Sequence, residues 1–480
     1  MPKIFLTGAT GVMGMAGLRH LTQARYSDGE PRITVLARDS KVNRRKLAPF
    51  VEKGVRVIWG DLLNPEDVAK GVDDADIVLH VGGMVSPMAD WYPEKTYKVN
   101  TGSMRNLIGA ALSKQERGER IKVVYIGSVS QYGNRQEGVH WGRTGDPINV
   151  ATFDKYALSK CDAERMLAES GLKEWVSLRQ TGIMYPRILM KGSDPISFHV
   201  PLKGCLEWVT EDESGKLLAA VADPELPADF WCRFYNIGGG AGWRLTNYDF
   251  VNLTLLAVGC PPVEKVFERN WFATRNFHGM WYTDSDLLDS ILHFRGRETM
   301  REYLARISKG LPWYFRLAPL APAWVIKMAM RQVASKKVLG PLNWISENDE
   351  ERILASFGGK RAYEAIPGWD NETDWHLSEI PVRLNHGYDE SKSLEELTDA
   401  DIQRAAAFRG GKYLGKSGED TMFECAEGHR FTLTPRTMLL GGHWCPQCLR
   451  EISEDPRASY RQASRNPFLR QVVGEVSDAR

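Results

Sequence analysis

The chain has 480 residues, of which 43% are hydrophobic and 26% are charged, and its net charge is +1 at pH 7. This length predicts two or three folded units, and the balanced charge excludes a global positive field that would attract nucleic acid. The sequence contains no apolar run of the roughly 18–20 residues that a membrane helix needs. We therefore expect a globular protein that neither crosses a membrane nor binds nucleic acid.

The cysteines and the N-terminal residues indicate in which cellular compartment the protein is expected. The chain enters an apolar run at Ile4, so we expect no secretory leader. It contains seven cysteines, an odd number, of which Cys425, Cys445 and Cys448 cluster near the end and the others are scattered. This usage indicates a metal site in a reducing environment rather than a disulfide framework. The predicted location is the cytoplasm.

Short apolar runs alternate with helical stretches from residue 1 to about residue 294. This alternation is typical of an α/β fold, in which a doubly wound parallel sheet carries helices on both faces. The predicted strands are Ile4–Leu6, Ile33–Leu36, Val55–Ile58, Ile77–Leu79, Val123–Ile126 and Val176–Leu178. The sequence thus predicts a Rossmann-type sheet.

A glycine-rich turn follows the first predicted strand, with Gly8, Gly11 and Gly14 at intervals of three residues. In dinucleotide-binding folds, such glycines allow a tight turn, the approach of the pyrophosphate and close helix packing. The next helix then directs its N-terminal amides at the phosphates. The predicted cofactor contacts here are Thr7, Gly8, Thr10, Gly11, Val12, Met13 and Gly14.

Basic residues follow the second predicted strand. An arginine at this position pairs with the 2′-phosphate of NADP, whereas an acidic residue selects NAD. Arg38, with Arg44 or Arg45, forms a plausible clamp and favours NADP, with NAD as the alternative, although a solvated surface cluster gives the same pattern. Further cofactor contacts are expected at the ends of the third and fourth strands, from Asp61, Leu62, Val81, Gly82 and Gly83.

Tyr156 and Lys160 are four residues apart and share one face of a predicted helix. The Lys160 ammonium, together with a nicotinamide cation, is expected to lower the pKa of the Tyr156 phenol. Ser128 ends the fifth predicted strand and can hydrogen-bond the reacting oxygen. These three side chains predict acid–base chemistry at a carbonyl or hydroxyl group.

With these motifs in place, roughly residues 1–305 resemble the extended short-chain dehydrogenase/reductase superfamily. The matching motifs are Thr7 to Gly14, Asp61-Leu62, His80 to Gly83, Val99 to Gly102, Ser128 to Gly133, Tyr156 to Lys160, Leu178-Arg179 and Asn236 to Gly240. The resemblance implies that Ser128, Tyr156 and Lys160 are the catalytic triad, that Tyr156 and Lys160 also contact the cofactor, and that Asn100 is a supporting polar residue.

Within the superfamily, Arg38 and its basic neighbours resemble the branch of dihydroflavonol, cinnamoyl-CoA and 3β-hydroxysteroid enzymes. That branch implies a bulky apolar substrate, steroid-like or aromatic. Val129–Gln131 lacks the Asp-Glu pair of sugar-nucleotide 4,6-dehydratases, so we do not expect dehydration. Two alternatives stay open, namely a nucleotide-sugar 4-epimerase with tightly bound NAD and an NADP-binding sensor or scaffold without turnover.

The spacing Cys425-x3-His429-x15-Cys445-x2-Cys448 suits one tetrahedral zinc ion without an open position. It resembles a zinc-ribbon or treble-clef module, in which His429 is the least certain ligand. Few basic residues surround the motif, which favours a structural role over an interaction module.

Four units are predicted: the reductase unit 1–310 with a small substrate-binding region, a helical extension or cap 311–415, a zinc-binding module 416–455 and a frayed tail 456–480. Trp313–Asn343 is expected to be a lid rather than a membrane-surface helix, because a helical wheel places Lys336 among the apolar residues. The predicted partner is a small-molecule substrate. Peripheral membrane contact is not favoured, and a homodimer stays open.

Overall fold

The computed structural model describes residues 1–190, 194–417 and 420–474. Its strands are β1 (Lys3–Thr7), β2 (Arg32–Ala37), β3 (Arg56–Trp59), β4 (Ile77–His80), β5 (Lys122–Ser128), β6 (Trp141–Gly142), β7 (Trp175–Gln180), β8 (Ile183–Met184), β9 (Cys205–Glu207), β10 (Val209–Thr210), β11 (Arg233–Ile237), β12 (Arg244–Thr246), β13 (Trp281–Tyr282), β14 (Lys412–Ser417), β15 (Asp420–Glu424) and β16 (Arg430–Thr432).

The helices are α1 (Val12–Leu21), α2 (Lys41–Val51), α3 (Pro65–Val72), α4 (Met88–Trp91), α5 (Pro93–Glu116), α6 (Lys155–Ala168), α7 (Glu211–Ala220), α8 (Asn247–Ala257), α9 (Val263–Val266), α10 (Ser285–Leu292), α11 (Met300–Ser308), α12 (Ala323–Ala334), α13 (Pro341–Ser346), α14 (Glu350–Phe357), α15 (Lys360–Glu364), α16 (Asp399–Phe408), α17 (Pro435–Leu439), α18 (Pro446–Glu454), α19 (Ala458–Ala463) and α20 (Pro467–Val473).

A seven-stranded parallel sheet in the order β11-β7-β5-β4-β1-β2-β3 forms the centre of the N-terminal part. The prediction of an α/β fold and of its six strands is confirmed, and β11 adds a seventh strand that was not predicted. The chain moves outward in opposite directions from β1, so a crevice opens between the carboxyl ends of β1 and β4. That crevice is where ligands bind in open parallel sheets.

Helices cover both faces of the sheet because alternate residues of its strands point to opposite sides. On one face, Ile4 and Leu6 pack with residues of α1, α2, α7 and α10. On the other face, Phe5 packs with residues of α3, α5 and α6. Helix α6, which carries Tyr156 and Lys160, is therefore held in place by its packing against the sheet.

Residues after β7, together with β6 from the loop that precedes α6, form a smaller region of short strand pairs. In this region β8 pairs with β10, β9 with β12 and β6 with β13. The inner face of α12 packs here, through Ala323, Ile326 and Met330, against a buried aromatic cluster that includes Phe198 and Phe267. The helical-wheel expectation for Lys336 is wrong, because α12 ends at Ala334 and Lys336 lies beyond it.

The C-terminal part contains a three-stranded antiparallel sheet, β14-β15-β16, followed by α17 and α18. Strand β14 runs across the unit boundary expected at residues 415 and 416. The prediction of a frayed tail is wrong up to residue 474, because Phe468 and Leu469 on α20 are buried and other residues of α19 and α20 pack against Val150 and Ala157. Residues 475–480 lie outside the described part.

Membrane crossing was not expected from the sequence. Of the helices in residues 1–190, 194–417 and 420–474, none combines the length and the apolar character that a membrane span requires.

Candidate active site and zinc centre

The glycine-rich turn lies between β1 and α1, at the crevice of the sheet. Gly8 has a φ of 73°, and a Cβ there would lie 2.7 Å from the Gly82 amide nitrogen. A Cβ on Gly14 would lie 2.2 Å from the Gly8 carbonyl oxygen, so both positions are closed to side chains. A Cβ on Gly11 would lie 3.4 Å from the Gly8 carbonyl oxygen and would otherwise face open space. No side chain caps the start of α1. The turn thus leaves room and free amides for a phosphate group.

The other residues predicted in this turn fall into two groups. Thr7 is buried, and its hydroxyl accepts from the Gly82 amide at 3.0 Å and hydrogen-bonds His80 Nδ1 at 2.9 Å. Met13 is also buried in the core, so both residues position the turn rather than line its surface. Thr10 and Val12 are accessible to a ligand, as is the exposed Gly83 at the end of the neighbouring strand.

The predicted basic clamp is only partly free. Arg44 is held by Asp39 through two hydrogen bonds of 2.6 and 2.7 Å, and its guanidinium lies 4.7 Å from the centroid of the Trp59 ring. Within the described residues, Arg38 and Arg45 are exposed and form no ion pair.

Sequence reasoning missed Lys46, which donates to the Thr10 carbonyl at 2.8 Å and so brings a cation to the glycine turn. At the end of the third strand, the exposed Asp61 carboxylate accepts from the Leu63 amide at 2.9 Å. Leu62 and Val81 are half-buried beside it, and Leu62 packs near Gly82. Leu62 and Val81 thus lie beside Gly82, after the ends of β3 and β4.

The structure brings the three predicted catalytic side chains together. Ser128 ends β5, and its hydroxyl, which accepts from the amide and the hydroxyl of Ser130, lies close enough to the Tyr156 phenol to lower its pKa. Lys160 donates to the Ile126 carbonyl at 2.9 Å, and its ammonium lies 5.9 Å from the centroid of the Tyr156 ring. Tyr156 is half-buried, whereas Lys160 and Ser128 are buried. The phenol is therefore the accessible member of the group.

The expected lowering of the Tyr156 pKa is not found in the protein alone. Burial raises the pKa of Tyr156 to about 12, although the nearby Ser128 hydroxyl lowers it, and the Asp154 and Asp90 carboxyls raise it further. Burial also lowers the pKa of Lys160 to about 8. Desolvation thus outweighs the attraction between the ammonium and the phenolate at this separation.

Asn100 connects the loop after β4 to α6 through hydrogen bonds of its side chain. Its side chain donates to the Met84 carbonyl at 3.1 Å and to the Ser159 hydroxyl at 2.9 Å, and accepts from the Met84 amide at 2.8 Å. A Cβ on Gly83 would lie 2.9 Å from Asn100 Oδ1 and 3.9 Å from Lys160 Nζ. Asn100 therefore fixes the loop after β4 against α6, and Gly83 lets that loop pass Lys160.

A family comparison agrees with this geometry. Residues 4–186 match the model of the NAD dependent epimerase/dehydratase family. This part of the chain is similar to that family. It is an NAD(P)-binding domain of the extended short-chain dehydrogenase/reductase type, as the sequence predicts.

Two curated proteins resemble the short-chain dehydrogenase/reductase domain. The 3 beta-hydroxysteroid dehydrogenase type 7 of Homo sapiens is 28% identical over 194 residues, which are 37% of this chain and 49% of that protein. The 2-alkyl-3-oxoalkanoate reductase of Shewanella oneidensis is 26% identical over 196 residues, 40% of this chain and 46% of that protein. The matches span about half the length of these relatives.

A solved structure shows the same fold. The dTDP-glucose 4,6-dehydratase DesIV of Streptomyces venezuelae, with NAD and TYD bound, superposes with a TM-score of 0.50 at 20% identity. The superposition covers 65% of this chain and 97% of that chain. At this identity the likeness concerns the fold alone.

A buried polar network joins the short-chain dehydrogenase/reductase domain to the C-terminal part, and sequence reasoning missed it. Glu164 on α6 accepts from Arg179 Nη2 at 2.6 Å, from Gln131 Nε2 at 2.9 Å and from His443 Nε2 at 2.8 Å. Gln131 in turn accepts from the Ser128 amide at 3.0 Å. The network thus runs from the C-terminal part to Ser128.

Charge pairing keeps this network ionised. Glu164 and Arg179 are both fully buried, and the guanidinium and His443 hold the pKa of the Glu164 carboxyl far below its usual value despite its burial. Burial lowers the pKa of His443, although Glu164 raises it, so the neutral imidazole donates to the carboxylate. Arg179 also donates to the Gly441 carbonyl at 2.6 Å.

The four predicted metal ligands converge in the C-terminal part. The ligand atoms of Cys425, His429, Cys445 and Cys448 all lie within 4.8 Å of one another. His429 Nδ1 lies 3.5, 3.6 and 3.5 Å from the sulfurs of Cys425, Cys445 and Cys448, respectively. A tetrahedral zinc ion with Zn–S bonds of about 2.3 Å separates its ligands by roughly 3.8 Å. The donor set and spacing therefore fit zinc.

Proposed function

We propose that this chain is an NADP-preferring oxidoreductase that interconverts a carbonyl and a hydroxyl group on a bulky apolar molecule. The observation that carries the proposal is the assembled triad. The Ser128 hydroxyl lies beside the Tyr156 phenol and lowers its pKa, and the Lys160 ammonium lies 5.9 Å from the centroid of the Tyr156 ring. A sensor or scaffold without turnover would not need an accessible phenol held between a hydroxyl and an ammonium.

The residues of the triad have separate tasks in this proposal. A bound nicotinamide cofactor supplies a hydride to the carbonyl carbon or accepts one in the reverse direction. During reduction the carbonyl oxygen gains negative charge, and the Tyr156 hydroxyl transfers its proton to that oxygen. The Ser128 hydroxyl donates a hydrogen bond to the same oxygen. The positive charge of Lys160 then favours the tyrosinate that remains until solvent reprotonates it.

The preference for NADP rests on charges at the end of β2. Asp39 is the carboxylate that would accept hydrogen bonds from a ribose and favour NAD, and Arg44 binds both of its oxygens. Arg38 and Arg45 remain exposed beside it, and Lys46 reaches the glycine turn. This surplus of cations suits a 2′-phosphate.

The substrate class rests on two observations. The region after β7 carries aromatic side chains, including Trp208 stacked on Phe250 with ring centroids 4.3 Å apart. The names of both curated relatives describe a hydroxyl or carbonyl group on an apolar skeleton. Both observations support an apolar alcohol or ketone, steroid-like or aromatic.

The nucleotide-sugar 4-epimerase is the second candidate, because the matched family includes epimerases and such an enzyme uses the same triad. The cofactor content separates the two. A reductase must exchange its cofactor at each turnover, so the purified protein should be largely cofactor-free and should consume added NADPH with a panel of carbonyl compounds. Stoichiometric NAD that stays bound, with no NADPH consumption, would support the epimerase instead.

We further propose that Cys425, His429, Cys445 and Cys448 hold one structural zinc ion, because all four ligands come from the protein and leave no position for substrate. The proposed units are the reductase unit 1–310, the helical cap from residue 311 and the zinc module up to residue 455. Because β14 runs across the boundary expected at residues 415 and 416, we place that boundary at the start of β14, at Lys412. The free thiols that zinc requires also support a reducing compartment, namely the cytoplasm.

A further inference from the structure

Exposed apolar side chains are concentrated on one segment that follows the reductase unit. Trp313 is 71% exposed, Leu320 is 76% exposed and Trp324 is 66% exposed. We call the set to which they belong the aromatic surface; its members are Trp313, Tyr314, Leu320, Trp324, Val325 and Met328. These six exposed side chains fall between residues 313 and 328, and large apolar side chains that face water are costly unless something covers them.

Helix α12 has apolar residues on two opposite sides. Its inner side, with Ile326 and Met330, packs against the buried aromatic cluster of the substrate region. Its outer side carries Trp324, Val325 and Met328 and contributes nothing to that core. Packing among the described residues therefore accounts for the inner side of α12 and leaves Trp324, Val325 and Met328 exposed.

The charge of the same segment has a single sign. Residues 309–346 contain no aspartate or glutamate, whereas their basic residues are Lys309, Arg316, Lys327, Arg331, Lys336 and Lys337. Lys327 is neutralised by an ion pair with Glu268. Arg331 and Lys337 are exposed, and the Lys336 ammonium lies 4.8 Å from the centroid of the Trp91 ring.

We propose that the aromatic surface docks the protein on an anionic lipid bilayer, with α12 lying in the interface and not crossing it. Tryptophan and tyrosine rings are stable at the level of the lipid headgroups, and lysine and arginine beside them attract anionic lipids. A second copy of this chain is a poor occupant, because a symmetric contact would bring the same cations together. Docking does not depend on the proposed reaction.

Sedimentation with lipid vesicles tests the proposal. The probes are pure phosphatidylcholine vesicles and mixed phosphatidylcholine–phosphatidylglycerol vesicles, each at low and high salt. The wild-type protein should bind the mixed vesicles more tightly, and added salt should weaken that binding. Trp324→Ser should lower the partition coefficient at least about tenfold, since it removes a large apolar contact. Arg331→Gln should lower it about fivefold, and only on the anionic vesicles.

Ile380→Ser is the matched control, since Ile380 is 76% exposed but lies outside the aromatic surface. It should leave the partition coefficient unchanged, and circular dichroism should show that all variants are folded. Absence of binding to anionic vesicles at low salt would overturn the proposal, as would equal losses in Trp324→Ser and Ile380→Ser. A wild-type dimer in light scattering that Trp324→Ser converts to a monomer would also overturn it, because the surface would then bind a second copy.

Discussion

Replacing His443 with alanine tests whether the C-terminal part supports the catalytic site. The change removes the 2.8 Å hydrogen bond from His443 Nε2 to Glu164, and both side chains are buried. Glu164 keeps its ion pair with Arg179, so the carboxylate is not left without a partner. A hydrogen bond to a buried charged group is worth about 1.5–3 kcal/mol, and the space left by the imidazole adds to the loss.

We therefore expect His443→Ala to lower the free energy of unfolding by about 2–4 kcal/mol. Glu164 also accepts from Gln131, whose side chain accepts from the Ser128 amide, so a shift of Glu164 should disturb Ser128. In His443→Ala, the turnover number should therefore fall by a larger factor than the apparent affinity for NADPH. Urea unfolding, NADPH titration and steady-state rates measure the three quantities.

His20→Ala is the matched control, because His20 Nε2 also lies 2.8 Å from a carboxylate, that of Asp212, but at the surface. An exposed pair of this kind contributes roughly 0–1 kcal/mol. If His443→Ala destabilises the protein no more than His20→Ala, or leaves turnover unchanged, the C-terminal part does not support the catalytic site in the way argued here.

Three further predictions concern the zinc centre, the cofactor and Asp154. Metal analysis should find one zinc per chain, and Cys445→Ser should lose the zinc together with the packing of the C-terminal part; a metal-free protein of unchanged stability would contradict this. Isothermal titration should give tighter binding of NADPH than of NADH. Arg38→Ala should reduce the ratio of the two affinities about tenfold or more, since one charge-assisted bond is worth about 1.5–3 kcal/mol. Equal affinities in the wild type would refute the preference. Burial raises the pKa of Asp154 to about 7, so the folded protein holds this proton more tightly than the unfolded chain does. The free energy of unfolding should therefore fall as the pH rises from about 4 to about 7 and this carboxyl ionises. The Asp154→Asn side chain can still cap α6. In urea unfolding, this variant should be more stable than the wild type by roughly 1–4 kcal/mol at pH 8 but not at pH 4. The same difference at both pH values would contradict the raised pKa of Asp154.

Local patterns in the sequence account for the central fold and for the members of the candidate site. The six predicted strands are short runs in which apolar residues predominate, which is typical of parallel sheets covered on both faces. The glycine turn and the Tyr156–Lys160 pair follow spacings that one turn or one helix face imposes. The zinc ligands likewise occur in pairs on tight turns. In each case, residues close in sequence determine the arrangement.

Features that depend on distant contacts were not predictable in this way. His443 and Glu164 are 279 positions apart, and no local pattern connects them. The pKa of Tyr156 depends on burial, which only the packed structure establishes. Strand β11 contains the polar residues Arg233 and Asn236 and therefore lacks a continuous aliphatic run. The tail helices offered a usable signal, since Phe468, Leu469, Val472 and Val473 recur at helical spacing.

The turnover of Tyr156→Phe tests the central claim most directly. The substitution removes the phenolic hydroxyl and keeps the ring, so NADPH affinity should stay close to that of the wild type. Loss of a positioned acid should lower turnover of a carbonyl substrate by roughly 10²–10⁴, measured as the loss of NADPH absorbance. A Tyr156→Phe variant that reduces the substrate at the wild-type rate would contradict the proposed reductase mechanism.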